Sequence, residues 1–304
     1  MGIELVYQQL KERIKPECIR LKEPMKEHTS FRIGGSADIM VLPDSARQII
    51  DTVEICRSNS CPYYIMGNGT NLLVRDNGYR GVIIKTSANM KDCKVEGERV
   101  YGQSGILLST LSKIIVSEGL EGFEYASGIP GTLGGAVTMN AGAYGGEIKD
   151  SIEWARVMNP DGDVMTYTKQ QLELGYRTSI IQREDLIVLD CGLRFVRGDR
   201  EAIQAKLDEY TRLRKAKQPL NVPSAGSTFK RPEGYYAGKL IEDAGLKGAR
   251  IGDAQVSELH CGFIVNVGNA TADDIIALIN HVKKRVKERF NVELQPEVKV
   301  IGEP

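Results

Sequence analysis

Apolar residues recur at helical spacing over residues 6–19, and the chain then changes period several times. Residues 37–43 read as a strand, Asp44 and Ser45 are helix-starting residues, and residues 46–56 carry the helix. Residues 63–66 form the next strand, which runs straight into Gly67-Asn68-Gly69-Thr70-Asn71. The stretch is a strand, helix, strand, glycine-loop unit.

Residues 72–107 alternate the short apolar runs 72–74, 82–84 and 100–101 with Gly and Asn turns, after which residues 107–117 turn helical. The densest glycine lies in residues 128–146. Beyond it, residues 152–157, 164–167 and 186–195 read as strands of a second mixed lobe. Residues 201–217 form an amphipathic helix with Ile203, Leu207, Tyr210 and Leu213 on one face. It ends at Gln218-Pro219, a plausible domain boundary, because the residue before proline is pushed out of the helical region. The last third predicts a helix over 236–244, a strand over 262–267, a long helix over 271–290 and a short strand over 292–294. Thr271 and Asp274 stand at capping-box spacing, and Ile275, Ile279, Val282, Val286 and Phe290 form one stripe.

The 304 residues suffice for two domains of roughly 150 residues each and a substantial core. Lys plus Arg and Asp plus Glu number 40 each, so no global field draws the chain to nucleic acid or an anionic membrane, and an anionic ligand must be held locally. Charged residues interrupt the first 21 positions, which therefore lack a signal-peptide core, and no stretch approaches the roughly 20 apolar residues of a membrane span. The 6 cysteines include no C-x-x-C pair and the 3 histidines no H-E-x-x-H, so reduced, buried thiols in a cytoplasmic protein without a metal site are expected.

Glycine is the outlier, 32 of 304 residues against an average of about 7%. Loops rich in glycine bring backbone N–H groups close to a ligand, and phosphate is their natural guest. The usual nucleotide fingerprints fail, however: Leu72 stands where G-x-G-x-x-G needs its third glycine, and no G-x-x-x-x-G-K-[ST] exists. A Rossmann dehydrogenase and a P-loop enzyme are disfavoured. Residues 67–71 alone read equally well as an ordinary tight turn. Over 128–146 each glycine loses roughly 0.5–1 kcal/mol relative to alanine, a loss that a bound pyrophosphate would offset.

These two loops carry a resemblance. Gly67 to Leu73 and Ser127 to Gly146 are similar to the two FAD-pyrophosphate loops of the UDP-N-acetylenolpyruvylglucosamine reductases. The similarity continues, in order, through residues 175–179, 225–232, 256–266 and 294–298. It implies an α/β, or α+β, architecture: a two-lobed FAD-binding domain of the vanillyl-alcohol-oxidase-like type, with lobes over 1–85 and 86–205, and a C-terminal α+β substrate domain over 206–304. The implied cofactor positions are Gly67, Asn68, Gly69, Thr70, Asn71 and Leu72 in the first loop. In the second they are Ser127, Gly128, Ile129, Gly131, Thr132, Gly134, Gly135, Asn140, Gly142, Ala143 and Tyr144. Asn68, Thr70 and Gln295 depart from the residues usual in the family. The first loop contains no histidine, so FAD is expected to be non-covalent.

The activity implied is NADPH-dependent, FAD-mediated reduction of UDP-N-acetylglucosamine enolpyruvate to UDP-N-acetylmuramate, a step of peptidoglycan synthesis. Negative charge develops beside the substrate carboxylate, so the site needs cationic stabilisation and a proton donor. Ser227 matches the family's proton donor; Arg177 and Glu297 match its other two catalytic positions, and an arginine fork suits a carboxylate. Read without the resemblance, Ser227 is a turn serine, Arg177 a surface arginine and Glu297 a solvated carboxylate. Lys217, Lys230 and Arg231 are candidates for the substrate pyrophosphate, although the run Arg212 to Lys217 also reads as a solvated basic helix end favoured by the helix dipole. No insertion lies between Arg177 and Ser227, which resembles the family's shorter subtype with a more open cleft. Two alternatives stay open: another FAD oxidoreductase of the same fold, and a non-catalytic nucleotide-sugar binding protein.

Overall fold

The computed structural model describes residues 2–304. The chain opens with helix α1 (Ile3–Arg13), strands β1 (Ile19–Pro24) and β2 (Ser36–Val41), and helix α2 (Ala46–Ser58). α2 starts at the expected serine, since the Ser45 hydroxyl accepts the Gln48 N–H. Strands β3 (Tyr63–Met66), β4 (Leu72–Val74), β5 (Tyr79–Lys85), β6 (Cys93–Glu96) and β7 (Arg99–Gln103) follow, then α3 (Leu108–Ser117) and β8 (Leu120–Glu121). The glycine-rich run contains α4 (Leu133–Met139) and the hairpin of β9 (Gly142–Ala143) and β10 (Gly146–Glu147). Next come β11 (Ile152–Met158), β12 (Val164–Thr168), α5 (Ile180–Arg183), β13 (Ile187–Arg194), β14 (Val196–Arg197) and α6 (Arg200–Lys217). The last part holds α7 (Ala237–Asp243), β15 (Arg250–Ile251), β16 (Ala254–Val256), β17 (Ile264–Asn266), α8 (Ala272–Phe290) and β18 (Lys299–Ile301).

These elements form two units, each assembled from separated stretches. The first takes residues up to 20, 39–68 and 81–214; the second takes 21–38, 69–80 and 215–304. In the first, an antiparallel sheet runs in the order β12-β11-β13-β7-β6. Its apolar face is buried with α3 and α4 in a core that includes Val100, Leu111, Phe123, Leu133, Val157 and Leu193. In the same unit β3 pairs parallel with β5, and their register, Tyr63 opposite Val82 through Met66 opposite Lys85, delivers Gly67 at the end of β3.

In the second unit α7 and α8 share a core with the antiparallel sheet β15-β16-β17, closed by Phe31, Leu73, Phe229 and Leu294 from distant stretches. The capping box is present: the Thr271 hydroxyl accepts the Asp274 N–H, and the Asp274 carboxylate accepts the Thr271 N–H. The Asp76 carboxylate also accepts the Ala272 N–H at 3.0 Å from both oxygens, placing negative charge at the positive end of α8. The expected strand at 292–294 does not form. Leu294 is there to fill the core, and the ladder begins later, where β18 pairs parallel to β4. Among the described residues no helix is long and apolar enough to cross a membrane, and no cluster of acidic, His or Cys side chains has metal-site geometry.

Candidate active site

In the first unit the start of the first glycine loop, Gly67 and Asn68, meets the second. A Cβ on Gly67 would lie 2.2 Å from Thr132 Oγ1, so only glycine lets the end of β3 touch the second loop. Asn68, one of the family departures, donates from Nδ2 to the Pro130 carbonyl at 2.9 Å and ties the loops together. Ser87 donates to the Gly67 carbonyl at 3.1 Å. Thr132 caps α4 by accepting the Gly135 N–H at 3.4 Å, although glycine-rich sequence alone disfavours a helix here.

Gly134 and Gly135 are both expected to admit phosphate, yet the structure separates them. The Gly134 N–H is bonded to the Ser104 carbonyl at 2.8 Å, and an added Cβ would come within 2.7 Å of Ser104 Cβ. Packing within the protein is sufficient reason for that glycine. Gly135 is exposed, and a Cβ there would meet nothing nearer than Thr132 Oγ1 at 3.5 Å. No neighbouring protein atom demands glycine at this exposed helical position, so an open approach for a ligand is the remaining physical use. On that ground the loop fits an FAD pyrophosphate.

Asn140 ends α4 in the left-handed region, at φ 42°, and is fully buried. Its Nδ2 donates to Glu147 Oε2 at 2.5 Å and to the Gly175 carbonyl at 3.0 Å, and its Oδ1 accepts the Lys149 N–H at 2.9 Å. Both donors are used within the protein, which makes Asn140 a clamp between segments. The Tyr144-Gly145 turn of the hairpin has positive φ at both residues, 53° and 89°, the geometry of a two-residue turn between twisted strands.

The Gly175 carbonyl gripped by Asn140 begins the turn that carries Arg177. Gly175 and Thr178 exchange both backbone bonds, at 3.0 and 3.3 Å, leaving Tyr176 and Arg177 at the tip. Arg177 has φ 54°, its Nη2 donates to the Gly142 carbonyl at 3.1 Å, and its guanidinium lies 5.0 Å from the Tyr176 ring centroid. Ser179 and Gln182 both donate to the Thr138 carbonyl, at 2.7 and 2.8 Å, fastening the turn to the end of α4. A strained, non-glycine residue held so firmly marks a place where position matters.

In the second unit Ser227 is exposed between a left-handed Gly226, at φ 76°, and the buried Thr228 and Phe229. Thr228 is bonded on three sides. Its N–H donates to the Gly262 carbonyl at 2.8 Å, its Oγ1 accepts the Ile264 N–H at 3.0 Å, and its carbonyl accepts the Glu297 N–H at 2.8 Å. The fold thus brings the Ser227 and Glu297 segments side by side. Asn71 of the first loop joins them, donating from Nδ2 to the Glu297 carbonyl at 3.1 Å, while the Ser30 N–H holds the Gly69 carbonyl at 3.0 Å. Leu72 opens β4 and pairs with Lys299, two residues after Glu297.

Lys230 is anchored by its N–H to the Gln295 carbonyl at 2.9 Å; the Arg231 guanidinium sits 4.0 Å from the Tyr236 ring centroid and donates to the Tyr235 carbonyl at 3.2 Å. Lys217 is exposed at the last turn of α6. His260 was not marked as a site residue by its sequence setting. Its Nδ1 accepts the Gly262 N–H at 3.0 Å, from the residue whose carbonyl holds Thr228, and burial lowers its pKa. The His260-x-Gly262 spacing beside an extended run was the available signal.

Residues 218–301 match the profile of the UDP-N-acetylenolpyruvoylglucosamine reductase C-terminal domain, and residues 37–168 that of an FAD binding domain. A UDP-N-acetylenolpyruvoylglucosamine reductase of Alkaliphilus oremlandii is 54% identical over 297 residues, covering 98% of both chains. One from Caldanaerobacter subterraneus is 50% identical over 300 residues, covering 99% of each. Among solved structures, the UDP-N-acetylenolpyruvylglucosamine reductase of Thermus caldophilus aligns with a TM-score of 0.78 at 34% identity, over 93% of this chain and 97% of that one. A glucose dehydrogenase, Phl p 4.0202, aligns at 12% identity with a TM-score of 0.51 over 64% of this chain and 44% of its own, a likeness of fold alone.

Proposed function

The chain belongs to the UDP-N-acetylenolpyruvoylglucosamine reductases, and from that membership we propose how its own residues carry the reaction. It is an FAD-dependent oxidoreductase that uses NADPH to reduce UDP-N-acetylglucosamine enolpyruvate in peptidoglycan synthesis. FAD, when bound, carries two reducing equivalents from NADPH to the enolpyruvyl double bond.

The backbone at residues 67–71 and 128–135 holds the FAD pyrophosphate, with Gly135 giving the closest approach. Ser227 holds the proton that completes the product at the carbon bearing the carboxylate. A serine hydroxyl is a weak acid, so its contribution is position, and the three-sided anchoring of Thr228 supplies that position. Arg177 presents a permanent positive charge to the developing enolate and its carboxylate. Glu297, fixed by its backbone to Thr228 and Asn71, polarises the enolpyruvyl group. Lys217, Lys230 and Arg231 meet the UDP pyrophosphate, and the substrate cleft is the open one of the shorter subtype. The reaction is placed in the cytoplasm, where NADPH and UDP-sugars are available.

The observation that carries this reading is the buttressing of an exposed serine by a buried threonine whose carbonyl also fixes Glu297. Its test is spectroscopic. The purified protein should be yellow, acid should release FAD, NADPH should bleach the flavin without oxygen, and the enolpyruvyl UDP-sugar should restore the colour. Restoration by an alcohol-derived carbonyl compound instead would favour another flavin oxidoreductase of the same fold. A colourless protein that takes up no FAD yet binds the UDP-sugar would leave only a binding protein.

A further inference from the structure

Helix α6 reaches over the second glycine loop with two side chains one turn apart. Tyr210 stacks on Tyr144, ring centroids 4.6 Å apart and planes within 7°. Arg214 lies along Gly128: a Cβ at that glycine would sit 2.6 Å from Arg214 Cδ, 3.3 Å from Nη1 and 3.4 Å from Nε. The Arg214 side chain, its Cδ nearest, thus fills the space that a side chain at residue 128 would need.

The neighbouring basic residues Arg212, Lys215 and Lys217 are exposed, as a solvated helix end would be, whereas Arg214 is partly buried. No hydrogen bond or ion pair to its guanidinium occurs among the described residues. Burial lowers its pKa, and the one opposing influence is the nearby Tyr144. A guanidinium taken from water without a carboxylate or carbonyl partner is an unfavourable arrangement unless an anion arrives to complete it. The glycine loop beneath it is the one proposed to hold the FAD pyrophosphate.

Resting on that reading, we infer that Arg214 is a pyrophosphate-binding residue, closing over a nucleotide diphosphate ester laid along residues 128–135. Its planar fork matches phosphate oxygens in pairs, and the Tyr144–Tyr210 stack holds α6 against the loop so that the fork is preset. Two ligands of the reaction carry this group, FAD and the UDP-sugar, and the experiment has an arm for each.

Wild type, Arg214→Gln, Arg214→Lys and the exposed control Arg212→Gln are stripped of flavin. The Tm of each apoprotein is measured, then the Kd for FAD by flavin fluorescence and the Kd for UDP by calorimetry. Arg214→Gln should leave the apoprotein as stable as wild type or more so, because an unpaired charge has been removed. It should weaken one of the two pyrophosphate ligands by about 10- to 100-fold, with Arg214→Lys between and Arg212→Gln unchanged. Loss in the FAD arm assigns the residue to the cofactor, and loss in the UDP arm to the substrate. Unchanged affinity in both arms, or an Arg214→Gln apoprotein that melts well below wild type, overturns the inference. A wild-type protein that binds neither ligand defeats the family reading itself, a separate result.

Discussion

Replacing Asn140 by alanine should be among the most damaging single changes in the first unit. Three hydrogen bonds are lost together, to Glu147, to the Gly175 carbonyl and from the Lys149 N–H, each worth about 0.5–1.5 kcal/mol at partners that are only partly buried. Alanine must also hold φ 42°, a conformation costing roughly 1–2 kcal/mol for a residue with a Cβ and no side-chain polar group to offset it. The sum is about 2.5–6.5 kcal/mol, which for a unit of this size lowers Tm by roughly 5–26 °C. Asn140→Gly removes the strain but none of the lost bonding, so it should recover about 1 kcal/mol relative to alanine. Calorimetry and urea unfolding of the three proteins measure both differences. Because Asn140 grips the turn that carries Arg177, KM for the enolpyruvyl substrate should rise in both variants even where flavin content is restored. A loss below about 1 kcal/mol in Asn140→Ala, or a glycine variant no better than alanine, would refute the reasoning.

The two glycines at the start of α4 should part company. Gly134→Ala should lose about 1–3 kcal/mol of apoprotein stability through its contact with Ser104, whereas Gly135→Ala should gain up to about 1 kcal/mol yet bind FAD more weakly; equal effects at both sites would count against the cradle. Ser227→Ala should still be bleached by NADPH but be reoxidised by the enolpyruvyl substrate at least about 100-fold more slowly, and stopped-flow traces with both phases at wild-type rates would remove Ser227 from the mechanism. Burial holds the His260 imidazole below its usual 6.5, so the unfolded chain takes up the proton first. Its contribution is complete above pH 6.5 and is lost as pH falls through the folded pKa, and His260→Gln should flatten the urea midpoint between pH 7 and 5; parallel profiles for the two proteins would show that another group titrates.

Much of this was legible in the sequence where one signal had one physical cause. Ser45 capped α2 and Thr271 with Asp274 capped α8 because short polar side chains can satisfy the amides that a helix start leaves open. The stripe from Ile275 to Val286 faces the core as its spacing implies. Failures came where a residue answers to a distant partner. Leu294 alternates with polar neighbours as a strand residue would, yet its partners are core residues such as Leu73. Helix α4 was hidden because glycines weaken helical propensity, and its caps Thr132 and Asn140 act in concert with Ser104, Glu147 and Gly175. Arg214 was masked by the charges around it, although its spacing from Ile203, Leu207 and Tyr210 continues one face of α6.

The interleaving of the two units sets an order of events on the ribosome. Residues 21–38 and 69–80 emerge early, carrying Phe31, Ile33 and Leu73, whose core partners lie after residue 215. About 135 residues must be made in the interval, roughly 7 to 27 s at ordinary rates of synthesis. Through that time Asp76 has no helix to cap and β4 has no strand beside it. A fragment limited to residues 218–301 would meet the complementary problem, possessing α8 but lacking the apolar side chains and the carboxylate that finish it. The second unit can therefore close only when the last stretch of chain returns to residues made near the beginning.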